Sequence, residues 1–384
     1  MNRDVEKTLP EGWKYAQLGD LSEYINGYTF KSKDWSNKGL PIIRIQNLNG
    51  KDEYNYFESE IKEKYKVFNG DILISWSASL DVYYWQGGDA VLNQHIFNTK
   101  LNTEIITKEF FYHTIKYSLA EISRNLHGMG LKHITKGKFE RILSPLPPLE
   151  EQKRIVNKID TLFAKIDKAI SLTEESLVHA KNLLPSVLKE VFEKGKADGW
   201  EEKKLAEVCT IINGRAYKKT ELLSEGKYKV LRVGNLFTNN SWYWSDLELK
   251  EDKYISNGDL IYAWSASFGP RMWSGEKVIY HYHIWKVVEG NQVSKDFLFN
   301  WLDWKTETIK KENTTGTTMM HVTKGMMESL VIHYPDIQVQ EQVVKSIEKL
   351  KKNCVQTQFK LEEQLGYLKQ LKSSILSKAF KGEL

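Results

Sequence analysis

Between positions 149 and 194, apolar residues recur every three or four places: Ile155, Ile159, Leu162, Ile166, Ile170, Leu177, Leu184, Val187 and Val191. That period, held among charged neighbours, predicts one long helix with a narrow apolar seam. Two consecutive steps of four, Leu162 to Ile166 and Ile166 to Ile170, are expected to relax any supercoil near the middle. At 1.5 Å per residue such a rod reaches roughly 60 to 70 Å. The same pattern returns near the end, at Ile347, Leu350, Cys354, Leu361, Leu365, Leu368, Ile375 and Ala379. A narrow seam must be buried, so the two helices are predicted to pair.

The stretches outside the rods read as mixed. Ile42–Ile45, Ile72–Trp76, Val82–Trp85 and Ile96–Leu101 are rich in β-branched and aromatic residues and bounded by Gly, Asn or Asp, which predicts strands. Thr107 stands as a helix N-cap ahead of Glu109, followed by an apolar face of Phe110, Phe111, Ile115, Leu119 and Ile122. Ser294, Asp296, Phe297, Leu298 and Trp301 repeat that pattern, and Gly128-Met129-Gly130 is expected to end the first of these helices in a loop. Pro145, Pro147 and Pro148 mark one exit from globule to rod, and Pro335 marks the other. The expected division is a globule over 1–148, a helix over 149–197, a second globule over 198–336 and a second helix over 337–384.

The two halves are copies. Trp13 and Trp200 stand 187 positions apart, as do Ile25-Asn26-Gly27 and Ile212-Asn213-Gly214. At an offset of 188, Arg44-Ile45-Gln46-Asn47-Leu48 matches Arg232-Val233-Gly234-Asn235-Leu236, and Trp76-Ser77-Ala78-Ser79 matches Trp264-Ser265-Ala266-Ser267. His133-Ile134-Thr135-Lys136-Gly137 recurs as His321-Val322-Thr323-Lys324-Gly325, and Ser186 through Phe192 as Ser374 through Phe380. Glu151-Gln152 is matched to Glu341-Gln342 with a slip of two residues. The fold class is therefore α+β: two mixed globules in tandem, separated by long helices pairing as an antiparallel coiled coil, with pseudo-two-fold symmetry.

Composition narrows the picture only a little. A chain of 384 residues accommodates two cores. A net charge of +5 permits a polyanion partner but requires local arrangement to bind it. Cys209 and Cys354 are too few for a disulfide framework, no apolar run is long enough for a membrane span, and positions 1–10 lack a signal core. A cytoplasmic protein is expected.

This arrangement resembles the specificity subunit of type I DNA restriction and modification enzymes. The resemblance runs from Leu9-Pro10-Glu11-Gly12-Trp13 and Leu18-Gly19-Asp20-Leu21 through Pro147-Pro148-Leu149-Glu150-Glu151-Gln152 to Ser377-Lys378-Ala379-Phe380-Lys381-Gly382-Glu383-Leu384. Its most specific piece is the proline-leucine-glutamate-glutamine junction. The second junction departs from that pattern, with Pro335-Asp336-Ile337 in place of the double proline. The resemblance implies a non-catalytic, double-stranded-DNA-reading subunit with two target recognition domains, each reading half of a split site. The paired helices would set the spacer and dock two adenine methyltransferase subunits, and restriction and translocase subunits would complete the assembly. S-adenosylmethionine, ATP and Mg2+ would bind those partners, with no cofactor in this chain. Segments that differ between the copies, such as Tyr28-Thr29-Phe30-Lys31 against Arg215-Ala216-Tyr217-Lys218, predict unequal half-sites.

Candidate DNA contacts follow. Arg44, Gln46 and Asn47, with Arg232 and Asn235, have side chains suited to guanine and adenine edges; the competing reading is a structural ion pair for each Arg and a turn cap for each Asn. Ser77, Ser79, Ser265 and Ser267 offer hydroxyls to phosphate. The loops His127–Lys132 and Thr314–Met319 are the preferred readers, through Met129, Lys132, Thr315, Thr317 and Thr318, with Lys136 and Lys324 as phosphate binders near helix starts. Lys31, Arg215 and Lys218 complete the set. The outer faces of the rods, including Lys158, Lys165, Glu174 and Lys181, are the expected partner surface.

Rival chemistry finds little support. No Asn-Pro-Pro-aromatic or Asp-Pro-Pro-aromatic segment and no phosphate-cradling glycine loop is present. Glu60-Ile61-Lys62 and Glu248-Leu249-Lys250 read as solvated charge, and His281-Tyr282-His283 as structural, since Gln94-His95 occupies the matching place in the first copy. An adaptor holding two protein-binding globules apart is the competing class; it predicts no salt-dependent DNA binding.

Overall fold

In the computed structural model the described residues are 9–77, 80–125, 134–237, 240–265, 269–312 and 322–384. They form two compact units, one of Met1–Glu174 with Glu363–Leu384 and one of Glu175–Glu362. Each unit is built in the same order.

In the first unit, strands β1 (Lys14–Gln17) and β2 (Ser22–Asn26) flank a single turn, α1 (Leu18–Leu21). Then come β3 (Leu40–Ile43), α2 (Ile45–Leu48), β4 (Asn55–Phe57), β5 (Lys66–Val67), β6 (Ile72–Ser75), β7 (Asp81–Tyr84), β8 (Ala90–Leu92), β9 (Ile96–Leu101), α3 (Lys108–Asn125), α4 (Lys136–Glu140), β10 (Leu143–Leu146) and the long helix α5 (Leu149–Ala197). The strands make an antiparallel sheet in the order β2-β9-β6-β7, a mixed sheet β4-β3-β8-β5 whose β3 and β8 run parallel, and a two-stranded pair β1-β10. Strand β6 is buried at every residue, as an apolar run in the middle of a sheet must be, while β2 alternates. The predicted apolar face of α3 is buried: Phe110, Phe111, Ile115 and Leu119 pack on Tyr24, Ile74 and Phe97.

The second unit repeats this with β11 (Glu201–Lys204), α6 (Leu205–Val208), β12 (Cys209–Asn213), β13 (Tyr228–Leu231), α7 (Val233–Phe237), β14 (Tyr243–Ser245), β15 (Tyr254–Ile255), β16 (Leu260–Ala263), β17 (Gly269–Met272), β18 (Val278–Tyr280), β19 (Ile284–Glu289), α8 (Lys295–Glu312), α9 (Lys324–Ser329), β20 (Val331–Tyr334) and α10 (Ile337–Ala379). Its sheets follow the orders β12-β19-β16-β17, β14-β13-β18-β15 and β11-β20.

Each core takes in parts of both long helices. In the first unit Ile155, Val156 and Ile159 of α5 join Leu376 and Ala379 of α10 and the adjoining Phe380, whose ring stacks on Tyr117 at 4.6 Å and lies 5.1 Å from Phe110. Arg154 donates to the Leu384 carbonyl, and Lys372 pairs with Asp167, so the two helices run antiparallel there. In the second unit Val344 and Ile347 share a core with Leu188 and Phe192, and Gln358 donates to the Ala180 carbonyl. Phe192 stacks on Trp304 at 5.2 Å, repeating the role of Phe380. The buried seam of α5 differs from the expected one past Ile166: Thr173, Ala180, Leu188 and Phe192 are buried, and Leu177, Leu184, Val187 and Val191 only half-buried. Pro185 lies within α5, where it withholds one backbone donor; its position on the exposed side makes this tolerable.

The two junctions correct the sequence alignment. The match of Gln152 is Gln340, not Gln342, and the offset of 188 passes through the junction without a slip. Both glutamines are fully buried. Each accepts from a backbone N–H, Thr107 or Ser294, at 2.8 Å. Each donates to two carbonyls, Ile105 and Pro147 in one case, Gln292 and Pro335 in the other, at 2.8–2.9 Å. Where the first junction has Pro148, the second has Asp336, whose carboxylate accepts from the Val339 amide, so an N-cap replaces the second proline.

Candidate nucleic-acid interface

In each unit one short turn gathers segments that are far apart in sequence. In the first unit it is Asn93-Gln94-His95, between β8 and β9. Asn93 donates its amide to Ile43 at the end of β3, Gln94 to Tyr28, and the His95 carbonyl accepts from Trp76. Gly27 passes so close that an added Cβ would lie 2.2 Å from the Leu92 carbonyl oxygen, which explains the glycine after Ile25-Asn26. In the second unit His281-Tyr282-His283 makes the same bonds to Leu231, Arg215 and Trp264, and a Cβ added at Gly214 would lie 2.3 Å from the His281 carbonyl oxygen. The turn thus brings Tyr28, Arg44 and Trp76 together in one unit, and Arg215, Arg232 and Trp264 in the other.

The arginines occupy equivalent places at strand ends. Arg44 lies over the exposed Trp35 ring at 5.4 Å, and Arg232 over Tyr243 at 4.2 Å. Neither makes an ion pair among the described residues, and the buried Nε of each has no acceptor there. The adjacent asparagines are fully engaged in shaping the turn. Asn47 accepts from the Arg44 amide and donates to the Lys51 and Glu53 carbonyls; Asn235 accepts from the Arg232 amide and donates to Ser241. They hold the arginine in place through its own backbone. Gln46 is half-buried on α2.

The other candidates fall into three groups. Ser77 is half-buried and Ser265 buried, both beside the gathered tryptophans. Lys31 and Lys218 are exposed, and their amides donate to Asp34 and Glu221. Arg215 is held by Glu221 through two bonds of 2.8 and 2.9 Å and lies on Tyr217 at 5.1 Å. Lys136 opens α4 and donates to the Tyr24 carbonyl at 2.6 Å; Lys324 opens α9 and lies 3.4 Å from Glu328. Ser79, Met129, Lys132, Ser267, Thr315, Thr317 and Thr318 lie outside the described residues. Beside the same turn, Ile134 and Val322 donate to the Trp76 and Trp264 carbonyls.

Burial, then His283 and Arg232, push His281 down to about 4, so it is neutral at pH 7. Its ring lies 4.9 Å from His283 and 4.4 Å from Tyr282. No group of three metal-ligating side chains occurs among the described residues, and Glu248 is paired with Lys227. Sequence reasoning missed Trp35, Tyr243 and the gathering turn, because aromatic platforms under an arginine are distant in sequence from it.

The architecture, paired mixed globules each completed by two long helices, is that of known solved structures. One chain from a study of complex assembly and conformational transition of the type I R-M system superposes with a TM-score of 0.78 at 20% identity, covering 98% of this chain and all of that one. The HsdS subunit from Thermoanaerobacter tengcongensis superposes with a TM-score of 0.64 at 20% identity, over 99% of both chains. The sequence model of the type I restriction modification DNA specificity domain matches twice, at residues 10–174 and 197–366. The chain belongs to that family. It is 25% identical to the MjaVIII specificity subunit of Methanocaldococcus jannaschii over 93% of this chain and 90% of that one, and 26% identical to the EcoKI specificity subunit of Escherichia coli K12 over 98% and 90%. With the EcoBI specificity subunit of Escherichia coli the identity is 29%, over 47% of this chain and little more than a third of that protein, 37%. The chain is thus a type I specificity subunit, a non-catalytic component that recognises DNA sequence. Among the described residues no helix is long and apolar enough to cross a membrane.

Proposed function

We propose that each globule reads one half of a bipartite, asymmetric DNA site, with residues 1–148 and 198–336 as the readers and 149–197 and 337–384 as the spacer helices. Two adenine methyltransferase subunits dock on those helices, and restriction and translocase subunits join them in the cytoplasm. S-adenosylmethionine, ATP and Mg2+ are bound by these partners. The observation that carries the reading is the repeated arginine. Arg44 and Arg232 sit at the same place in two units of different surface chemistry, each lying over an exposed ring with a buried donor unmatched among the described residues. A donor so placed suits an arriving phosphate or base acceptor. Because the position is shared, phosphate is the better partner, and unlike residues around it, such as Tyr28 and Arg215, supply half-site identity. Lys31, Lys218, Ser77, Ser265, Lys136 and Lys324 add backbone contacts, and Met129, Lys132, Thr315, Thr317 and Thr318 read the bases.

The test is methylome sequencing of cells carrying this chain with its methyltransferase partner, before and after residues 198–335 are exchanged for another recognition domain. A bipartite methyladenine motif with only one half altered is expected. A stable complex that methylates nothing would turn the reading toward an adaptor.

A further inference from the structure

We infer that Gln152 and Gln340 are positioning residues: each amide locks a recognition globule onto its own long helix, and the lock holds the gap between half-sites to a single value. The inference rests on the two-reader function proposed above.

The geometry is the same in both units. The amide of Gln152 makes the first helical bond of α5, to Pro148, and that of Gln340 the first of α10, to Asp336. The side chain turns away from the helix and makes three hydrogen bonds, using both its N–H donors and its oxygen. Its oxygen takes the backbone N–H of Thr107 or Ser294, and its nitrogen bonds two carbonyls, one on the β9–α3 or β19–α8 loop and one on the proline before the helix. Thr107 and Ser294 are themselves N-caps, with hydroxyls accepting from Phe110 and Phe297. One buried amide therefore ties the start of the globule's own helix, the junction proline and the start of the long helix.

A fold needs no such device simply to stay closed, since aromatic and aliphatic packing already joins globule to helix. A three-way polar tie in a fully buried place adds direction: hydrogen bonds fix angles where apolar contacts tolerate sliding. Direction matters here because one extra base pair moves a half-site by about 3.4 Å and rotates it by roughly a tenth of a turn. A globule able to swivel on its helix could follow that displacement. One held by three bonds could not.

The experiment uses the full complex with its methyltransferase and reads the methylome at wild-type spacing and at spacings one base pair longer and shorter. Gln340→Met keeps length and removes all three bonds; Gln340→Asn keeps the amide but shortens its reach. Each is compared with the wild type and with the matching Gln152 variant. The expected result is unchanged sequence in both half-sites, with methylation at the off-length spacings rising about tenfold relative to the wild-type spacing. Retention of a single spacing by a folded variant would overturn the proposal, and so would failure of both substitutions to fold, which would make the amide a folding element. Absence of a bipartite motif in the wild type would instead sink the two-reader function, so the two failures are distinguishable.

Discussion

The two units share one scaffold but surround the gathering turn with opposite chemistry. In the first, Tyr28, Phe30, Phe57 and Tyr65 form a cluster of rings with centroids 5.0–6.4 Å apart. In the second, the same positions hold Arg215, Tyr217, Ser245 and Lys253, and the cluster is replaced by the Arg215–Glu221 fork lying on Tyr217. Asp34 and Glu221 cap the same turn, but only the second unit has an arginine, Arg215, in place of Tyr28 to pair with the acid. What stays constant is equally telling: Arg44 and Arg232, the asparagines that shape their turns, and the buried glutamines. Constancy falls on what positions the surface, and difference on what the surface presents. Unlike side chains on equivalent frames are what the proposed reading of two unequal half-sites calls for.

The constant part can be broken most severely at the aromatic ring that closes each core. Phe380→Ala and Phe192→Ala remove rings that are 1% and 3% exposed. Each is expected to cost about 3–5 kcal/mol, because the stacked neighbours Tyr117 and Trp304 cannot collapse into the space. Calorimetry checks this. If the units unfold separately, each substitution should lower one transition and spare the other.

Next in size is the shared arginine. Arg44→Ala and Arg232→Ala should each weaken DNA binding by about 1–3 kcal/mol and reduce the dependence of log affinity on log salt by about one ion, leaving both half-site sequences intact. Fluorescence anisotropy of the complex at several salt concentrations measures both quantities. Loss of discrimination at one base position, with an unchanged salt slope, would make the arginine a base reader.

Much of this frame was legible in the sequence because duplication leaves a constant offset, and blocks such as Trp76-Ser77 and Trp264-Ser265 mark it at short intervals. Strand β6 and the face of α3 were legible because their apolar periods are strong. The pairs β1-β10 and β11-β20 were not, since they join segments more than a hundred residues apart and no local period records such pairing. The glutamine match failed for a different reason. Glu341-Gln342 copies the letters Glu151-Gln152, whereas burial selects Gln340, and burial is a tertiary property. The arginines stand out as candidates in the sequence, but their platforms do not, and nothing local shows that the asparagine side chains are occupied by backbone.

The unlike part can be sharpened with Glu221→Gln. The Arg215 guanidinium, with the Lys218 amide, lowers the Glu221 carboxyl from 4.5 to about 2. A lowered acid stabilises the folded state above its unfolded value, so the contribution is present above about pH 4.5 and lost as pH falls toward 2. The variant should lack that part of the acid dependence in thermal unfolding between pH 5 and pH 3. It also frees Arg215, so methylome sequencing should show an altered second half-site and an unaltered first.

The smallest expected effect lies where α3 meets α5. His113 is buried, bonded to Asp160 at 3.1 Å, with no partner for Nδ1 among the described residues, and the second unit has Asn300 in its place, bonded to Lys351. Burial lowers the His113 pKa from 6.5, and the bond to Asp160 only partly opposes this. The folded state therefore binds fewer protons than the unfolded state around pH 6. Stability from this site is complete above pH 6.5 and lost as pH falls through the window below it. His113→Asn, which copies the second unit, removes the titrating group, so the difference in Tm between pH 7.5 and pH 5.5 should shrink for the first unit's transition alone. An unchanged difference would show that the His113 imidazole is not the source of the pH sensitivity.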